Sequence, residues 1–380
     1  MDFKLTPDQK DLQAMFRDFA IQQVKPLAAE IDENERFPKE TIPKLAEAGM
    51  LGIPVPEEFE GAGLGNLEYA MAVEELSRVC GATGVIVSAH TSLCVWPIME
   101  YGTPEQKKKH LPDLASGRKL GAFGLTEPGA GTDAASQKTV AEDKGDHWLL
   151  NGSKIFITNG GEAETYVVMA MTDKSLGTKG ISAFIVEMGF PGFRIGTHEK
   201  KLGIRGSATT ELIFEDCIVP KENLLGEISK GFKVAMTTLD GGRIGIASQA
   251  LGIAQGAIDE TVAYVKVREQ FGKRISQFQN TQFQLADMQT KVDAARLLVY
   301  RAACAKDAHE PYSHLAAMAK LFASEAASDV TRRAVQLYGG YGFTREYPVE
   351  RMMRDAKITE IYEGTSEVQK MVISGWMGVN

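Results

Sequence analysis

The sequence predicts an α+β fold in three successive zones, and three observations carry that prediction. Helical signals fill the chain up to about residue 120, short β-rich runs crowd the stretch from 121 to 226, and helical period returns at 227 and persists to the end. At 380 residues the chain is too long for one typical core, so two or three packed units are expected. The zones predict an N-terminal helical domain (1–120), a middle antiparallel β domain (121–226) and a C-terminal helical bundle (227–380).

In the first zone, Thr6-Pro7 is a capped helix start, Pro38 opens a second helical segment and Pro104 a third that runs into Lys107-Lys108-Lys109. In the second, Trp148-Leu149-Leu150, Lys154 to Thr158, Tyr166 to Met171, Ile181 to Val186 and Glu211 to Phe214 read as strands, with Asn151-Gly152 as a hairpin turn between the first two. Strands this close together predict a small antiparallel sheet or barrel. In the third, Leu285, Met288, Val292, Ala295, Val299 and Ala302 recur every three or four residues, the apolar stripe of a long helix. No repeat or low-complexity linker interrupts the zones, which are expected to pack tightly. Near the end, Val349 to Tyr362 reads as helix, Gly364 as a helix-ending residue, and Ser366 with Gln369 as a capping box for the next helix.

Composition excludes several function classes. The net charge of −8 and the absence of a Lys/Arg block argue against nucleic acid and anionic membrane surfaces as partners. Cys80, Cys94, Cys217 and Cys304 lack paired spacing, so neither a disulfide framework nor a zinc knuckle is expected, and a reducing compartment fits. Met1 to Pro7 has neither an apolar h-region nor transit-peptide character, and nowhere do 18 apolar residues run together. His90, His110, His147, His198, His309 and His314 form no HExxH or Cys/His cluster and read mostly as surface or capping residues; no GxSxG elbow occurs. Gly61 to Gly65 lacks the strand-turn-helix setting of a dinucleotide fingerprint and reads as a loop.

Six stretches could carry chemistry. Phe123-Gly124-Leu125-Thr126-Glu127-Pro128-Gly129-Ala130-Gly131-Thr132-Asp133 offers glycines whose backbone N–H groups can cradle phosphate or flavin oxygens, although alone it reads first as a plain interdomain loop. Phe156-Ile157-Thr158-Asn159-Gly160-Gly161 puts an aromatic and a hydroxyl two residues apart, on one side of a regular strand, where they could cover and hydrogen-bond a ring. Asp240-Gly241-Gly242-Arg243 precedes small residues along which a carbonyl-bearing or phosphorylated ligand could lie. Arg268-Glu269-Gln270-Phe271-Gly272 with Gln277-Phe278-Gln279, and Gln336 to Gly342, break the helical pattern with glycine and polar donors, as contacts to a ligand or another subunit do. Finally, Glu363 in Ile361-Tyr362-Glu363-Gly364-Thr365 sits at a helix corner, rigid enough for a catalytic base, though a lone Glu there is ordinarily a solvated charge.

In this order, the six stretches resemble the acyl-CoA dehydrogenase family over nearly the whole chain. The resemblance implies that family's architecture, with a four-helix bundle as the C-terminal domain. It also implies bound FAD, contacted by Phe123, Leu125, Thr126, Thr132, Phe156, Ile157 and Thr158, and across a subunit boundary by Arg268, Phe271, Gln279, Gln336, Gly339 and Gly340. Thr365 and Glu367 complete the implied cofactor site. Thr132, Asp240, Arg243, Tyr362 and Gly364 are the implied acyl-CoA contacts. A homotetramer (dimer of dimers), an electron-transfer flavoprotein partner and a cytoplasmic location, or the mitochondrial matrix after loss of a presequence, are implied as well. Many relatives carry Trp where this chain has Phe156 and Tyr where it has Phe123, changes that keep a ring and lose a hydrogen bond.

The implied reaction is α,β-dehydrogenation of an acyl-CoA, with Glu363 as α-proton base and the β-hydrogen leaving as hydride to flavin N5. An ordinary Glu, with a pKa of about 4.3, is too weak a base for a thioester α-hydrogen. Burial would raise its basicity, and hydrogen bonds to the thioester oxygen would stabilise the enolate. Long-chain and isovaleryl-type relatives place the base immediately before the bundle Arg, where this chain has Gly242. The run Gly242 to Ala250 is most similar to short-chain, butyryl-CoA-type enzymes. Alternatives are an enoyl-CoA or acryloyl-CoA reductase working in the opposite direction, and a flavin-binding scaffold without catalysis.

Overall fold

The computed structural model describes residues 4–379. Of the run Met1 to Pro7, Met1, Asp2 and Phe3 lie outside them. Helices α1 (Pro7–Phe19), α2 (Ala28–Asn34), α3 (Ile42–Glu47), α4 (Asn66–Ser77), α5 (Gly81–Ser88), α6 (Trp96–Tyr101) and α7 (Pro104–Ala115) come first. Strands β1 (Gly121–Gly124), β2 (Val140–Asp143), β3 (His147–Thr158), β4 (Thr165–Met171), β5 (Ile181–Glu187), β6 (Phe193–His198), β7 (Thr209–Pro220) and β8 (Leu224–Leu225) follow. Helices α8 (Gly231–Val267), α9 (Gln279–Asp307), α10 (Ser313–Tyr338), α11 (Val349–Ile358) and α12 (Ser366–Met377) close the chain, with a two-stranded ribbon of β9 (Glu269–Gln270) and β10 (Lys273–Arg274) after α8.

The large sheet runs β6-β7-β3-β2-β4-β5-β8, with β1 beside β4. Its ladders are antiparallel except where β1 and β2 meet β4 in parallel. Strand β4 is buried along its whole length, as its continuous apolar run Tyr166 to Met171 requires. Asn151-Gly152 makes no hairpin turn: β3 runs straight through it, antiparallel to β7, with a register shift at that point. Gly152 has φ +143°, and a side chain there would strike Thr139 Oγ1 2.5 Å away, so the dipeptide forms a bulge that lets the next segment cross.

Thr6 caps α1 through a capping box with Gln9, and Thr103 caps α7 with Gln106. The segment opened by Pro38 starts as a turn and becomes helix only at Ile42. On α9, Met288, Val292, Ala295, Val299 and Ala302 are buried and Leu285 partly so. Gly81–Tyr101 is helical, and long and apolar enough to cross a membrane, yet 89% of its most apolar window is buried inside the fold. His90 and His110 are buried too, against expectation, because His90 bridges segments by accepting from Gly121 N at 2.9 Å while its Nε2 lies 3.1 Å from Leu114 O.

The zones are tied by buried charge. Arg354 on α11 forks onto Asp32 of α2, Asp355 accepts from Ile204 N at 2.5 Å, and Glu74 on α4 takes Arg296 and Tyr300 of α9. These ties hold the turn after α11 in place.

Candidate active site

Helix α11 ends at Ile358, four residues earlier than its apolar pattern suggests, and Tyr362 and Glu363 lie in the following turns. Glu363 has φ +54° and Gly364 φ +93°. A non-glycine residue in the left-handed region costs about 1 kcal/mol and persists only where its surroundings fix it. Three hydrogen bonds do so: Gln369 Nε2 donates to Glu363 O at 3.2 Å and to Gly364 O at 2.8 Å, and Lys320 Nζ donates to Gly364 O at 2.7 Å. Gln369 is thus spent on the turn, and the N-cap of α12 is Thr365, not Ser366: its hydroxyl accepts from Val368 N at 3.4 Å.

The turn aims the Glu363 carboxylate at α8. A Cβ built on Gly242 would lie 1.8 Å from Glu363 Oε2 and 2.8 Å from Leu93 Cδ2. Only glycine at 242 therefore leaves the carboxylate its place. Oε2 is buried without a hydrogen-bond partner. Burial raises the carboxyl from 4.5 to about 7, against the pull of Lys320 and Arg243. Such a group can take up a proton near neutral pH.

Around it, Arg243 is buried, ion-paired with Asp240, and leaves Nε unpartnered. Burial pushes its pKa down, Asp240 and Glu363 pull it up, and the first effect wins. Asp240 also accepts from Ser313 at 2.8 Å. Tyr362 donates its hydroxyl to Gln249, whose Nε2 donates to Gly81 O at 2.8 Å. Beside Asp240 a cavity of about 630 Å³ opens between Tyr312, Ser313, His314 and Trp376.

The β-zone residues converge on the same region. Phe123 and Leu125 are buried in one apolar cluster with Leu93, the residue next to Gly242 and Glu363. Ile155 N donates to Thr126 O at 2.9 Å, which sets the loop after β1 beside the end of β3. There a second register shift and φ +58° at Phe156 shift the phase of the alternation after Lys154, while Phe156 and Thr158 still flank a buried Ile157. Phe156 is 59% exposed, Ile157 is buried and Thr158 half-buried. In the loop, Gly129, Gly131 and Thr132 are exposed, with nothing within 4 Å of a Cβ built on either glycine. An open run of backbone beside an exposed ring fits a phosphate-linked aromatic cofactor such as FAD.

Arg268, Gln336, Gly339 and Gly340 line a different cavity, of about 500 Å³, together with Tyr264 and Tyr341. Phe271, 94% exposed at φ +54°, forms the turn between β9 and β10; Gln279 and Glu367 are exposed. None of the residues around Glu363 lines this cavity. The one-chain structure does not bring these contacts to the Glu363 site.

Sequence reasoning missed Lys320 and Leu93, read Gln369 only as a helix cap, and took Gln249 only as part of the run Gly242 to Ala250. Lys320 carried a signal: it interrupts the buried face of α10 formed by Ala316, Ala319, Ala323 and Ala327, where a charge is rare. The loop's anchor was missed as well: buried Lys154 Nζ donates to Glu127 at 2.7 Å, Gln137 at 3.0 Å and Leu125 O at 3.1 Å. Among the described residues no metal-binding group of His, Cys, Asp and Glu occurs.

The three-zone fold, a carboxylate with a buried, unpartnered oxygen and an open backbone loop beside an exposed ring define a flavoprotein-dehydrogenase type of site. Family models for the N-terminal, middle and C-terminal domains of acyl-CoA dehydrogenases match residues 6–118, 122–217 and 229–378, and the chain belongs to that family. It is 63% identical to the short-chain specific acyl-CoA dehydrogenase of Clostridium acetobutylicum, over 99% of both chains. It is 52% identical to the acryloyl-CoA reductase (NADH) of Anaerotignum propionicum, over 98% of this chain and 95% of that one. Among solved structures, the butyryl-CoA dehydrogenase of Megasphaera elsdenii superposes with a TM-score of 0.98 at 52% identity, covering 99% of this chain and all of the other. A chain from a structure of the electron transferring flavoprotein of Acidaminococcus fermentans gives 0.98 at 58% identity, covering 99% of each.

Proposed function

We propose that the protein dehydrogenates a short-chain acyl-CoA of the butyryl type to its trans-2-enoyl-CoA, with Glu363 as the base. One observation carries the reading: a carboxylate with Oε2 buried and unpartnered, raised to about 7, lies against α8 at Gly242, where any side chain would displace it. Glu363 takes the α-proton; its backbone N–H and the turn at Gly364 orient the thioester; Arg243, held by Asp240, keeps positive charge beside the site. FAD, on which this family depends, supplies the hydride acceptor when bound. Phe123, Leu125, Ile157 and Thr158 would face it from β1 and β3, Phe156 would cover it, and the backbone from Thr126 to Thr132 would hold its phosphates. Thr132 and Tyr362 would also border the substrate, and Thr365 and Glu367 the cofactor.

Short chain length follows from the α8 face. Gln249 lies seven residues beyond Gly242, on the same side and about 10 Å along the helix. Tied to Tyr362 and Gly81, it closes that face, while Tyr69 and Ser88 close it beside Gly245. The cavity beside Asp240 gives the CoA arm a way out.

Arg268, Phe271, Gln279, Gln336, Gly339 and Gly340 would contact FAD from a second subunit in a homotetramer, a reading supported by their separate cavity and by the exposure of Phe271 and Phe343. The Acidaminococcus neighbour supports an electron-transfer flavoprotein as acceptor, and the clostridial relative a cytoplasmic setting. The Anaerotignum relative favours a second reading, in which the same site reduces an enoyl-CoA.

Anaerobic bleaching of the flavin by C4 to C16 acyl-CoAs tests the reading. Butyryl-CoA is expected to bleach fastest, and Glu363→Gln to keep FAD and lose about 10²–10⁴-fold in rate. An optimum at C12 or longer sinks the short-chain assignment, and parent-rate bleaching by E363Q sinks the base. Reoxidation by crotonyl-CoA that outpaces bleaching would favour the reductase direction.

A further inference from the structure

Lys320 is fully buried on α10, in a stripe of alanines that packs the helix into the core. Burying an ammonium costs several kcal/mol unless it is paired, and among the described residues Lys320 forms no ion pair. Its hydrogen bond goes to Gly364 O, the carbonyl directly after the base. We propose that Lys320 is the positioning residue of the base, clamping the Gly364 carbonyl so that Glu363 keeps its left-handed turn and placing a fixed positive charge behind the carboxylate. The proposal rests on the reading of Glu363 as the base.

The surroundings show what that charge does. The Glu363 carboxylate is faced by Lys320 from α10, by Arg243 from α8 with Asp240 behind it, by the Tyr69 hydroxyl from α4 and by Tyr362 of its own turn. Glu360 and Glu367 lie within electrostatic reach of Lys320 but form no ion pair with it. Arg243 is already committed to Asp240, so Lys320 is the uncommitted cation of the set. Burial brings its own pKa down to about 8, with Glu363 pulling the other way, so the ammonium stays charged at neutral pH. The arrangement limits how far burial can push the base upward, while leaving Oε2 free to accept a proton.

The test uses the FAD-loaded enzyme with Lys320→Met and Lys320→Arg, and E363Q in parallel. Two quantities are read against pH: the rate of anaerobic flavin reduction by butyryl-CoA, and, without substrate, the carboxylic-acid infrared band that E363Q deletes. K320M is expected to keep FAD, to move the acid limb and the band's midpoint upward by about 1 pH unit, and to lower the rate plateau about tenfold. K320R is expected to restore the midpoint and not the plateau, since it keeps charge and changes the bond to Gly364 O. Should K320M not fold, Lys320→Gln supplies a neutral donor and isolates the charge. A midpoint and plateau equal to the parent's in the neutral variant overturn the role. If E363Q bleaches at the parent rate, the base assignment fails instead; if E363Q is inert and the neutral variant is unmoved, only the role of Lys320 fails.

Discussion

Glu127, a buried residue, and Glu363, half-buried with its Oε2 fully buried, each have a carboxylate near a lysine ammonium, and the fold gives them opposite chemistry. Glu127 is saturated: Lys154 Nζ donates to it at 2.7 Å and the Thr139 and Lys138 N–H groups donate to its two oxygens. Burial pushes its pKa up, but Lys154 and those donors outweigh burial and hold it below the ordinary carboxylate range. Glu363 has a buried Oε2 with no donor, and its nearby lysine is bonded to a backbone carbonyl instead. Its pKa rises to about 7. What separates a structural carboxylate from a reactive one here is therefore whether its donors reach the oxygens or only the backbone that carries them.

The largest expected effect breaks the structural half of the comparison. Lys154→Met leaves Glu127 buried without its cation, a loss of about 3–5 kcal/mol. The melting temperature should fall by several degrees, and FAD should be released on gel filtration, since the loop from Thr126 to Thr132 is anchored at Glu127. K320M, which removes an ammonium from no ion pair, should melt much closer to the parent. Equal losses in the two variants would erase the distinction.

That contrast also marks how far the sequence could be read. Zone order and the starts of α1 and α7 were legible because they depend on local rules: a Thr-Pro helix start, and apolar residues at helical spacing. Asn151-Gly152 misled because a turn dipeptide and a bulge share the same φ demand, and only the crossing segment at Thr139 selects the bulge. Glu363 was legible as a carboxylate between an aromatic and a glycine; its φ of +54° was not, since Lys320 and Gln369, which fix the turn, act on it from other helices. The Glu127–Lys154 pair spans 27 residues of chain, and no local pattern joins its members.

A smaller effect tests the reactive half. Gly242→Ala should stabilise a helix interior by about 1 kcal/mol on propensity alone. Here the added methyl would sit 1.8 Å from Glu363 Oε2, so the carboxylate must move. Flavin reduction by butyryl-CoA should fall about 10–100-fold while FAD content and melting temperature change little. A G242A enzyme with parent kinetics would show that the carboxylate does not need this seat.

The smallest effect separates the two carboxylates by the sign of their pH dependence. Glu363 titrates at about 7 in the folded protein and near 4.5 when unfolded, so between those values the native state binds more protons and its stability falls as pH rises. Glu127 is depressed in the folded state, so its contribution is present above its unfolded value and is lost as pH falls through the folded one. E363Q removes the first penalty. Its melting temperature should match the parent's near pH 4.5, then exceed it by a margin that grows to about 2 °C by pH 7.5 and levels off. Glu127→Gln should do the reverse at neutral pH, melting below the parent and drawing level only in acid. Melting curves of both holoenzymes from pH 4.5 to 8 check this directly, and a falling margin for E363Q would show that its carboxylate is stabilised as an anion and is no base.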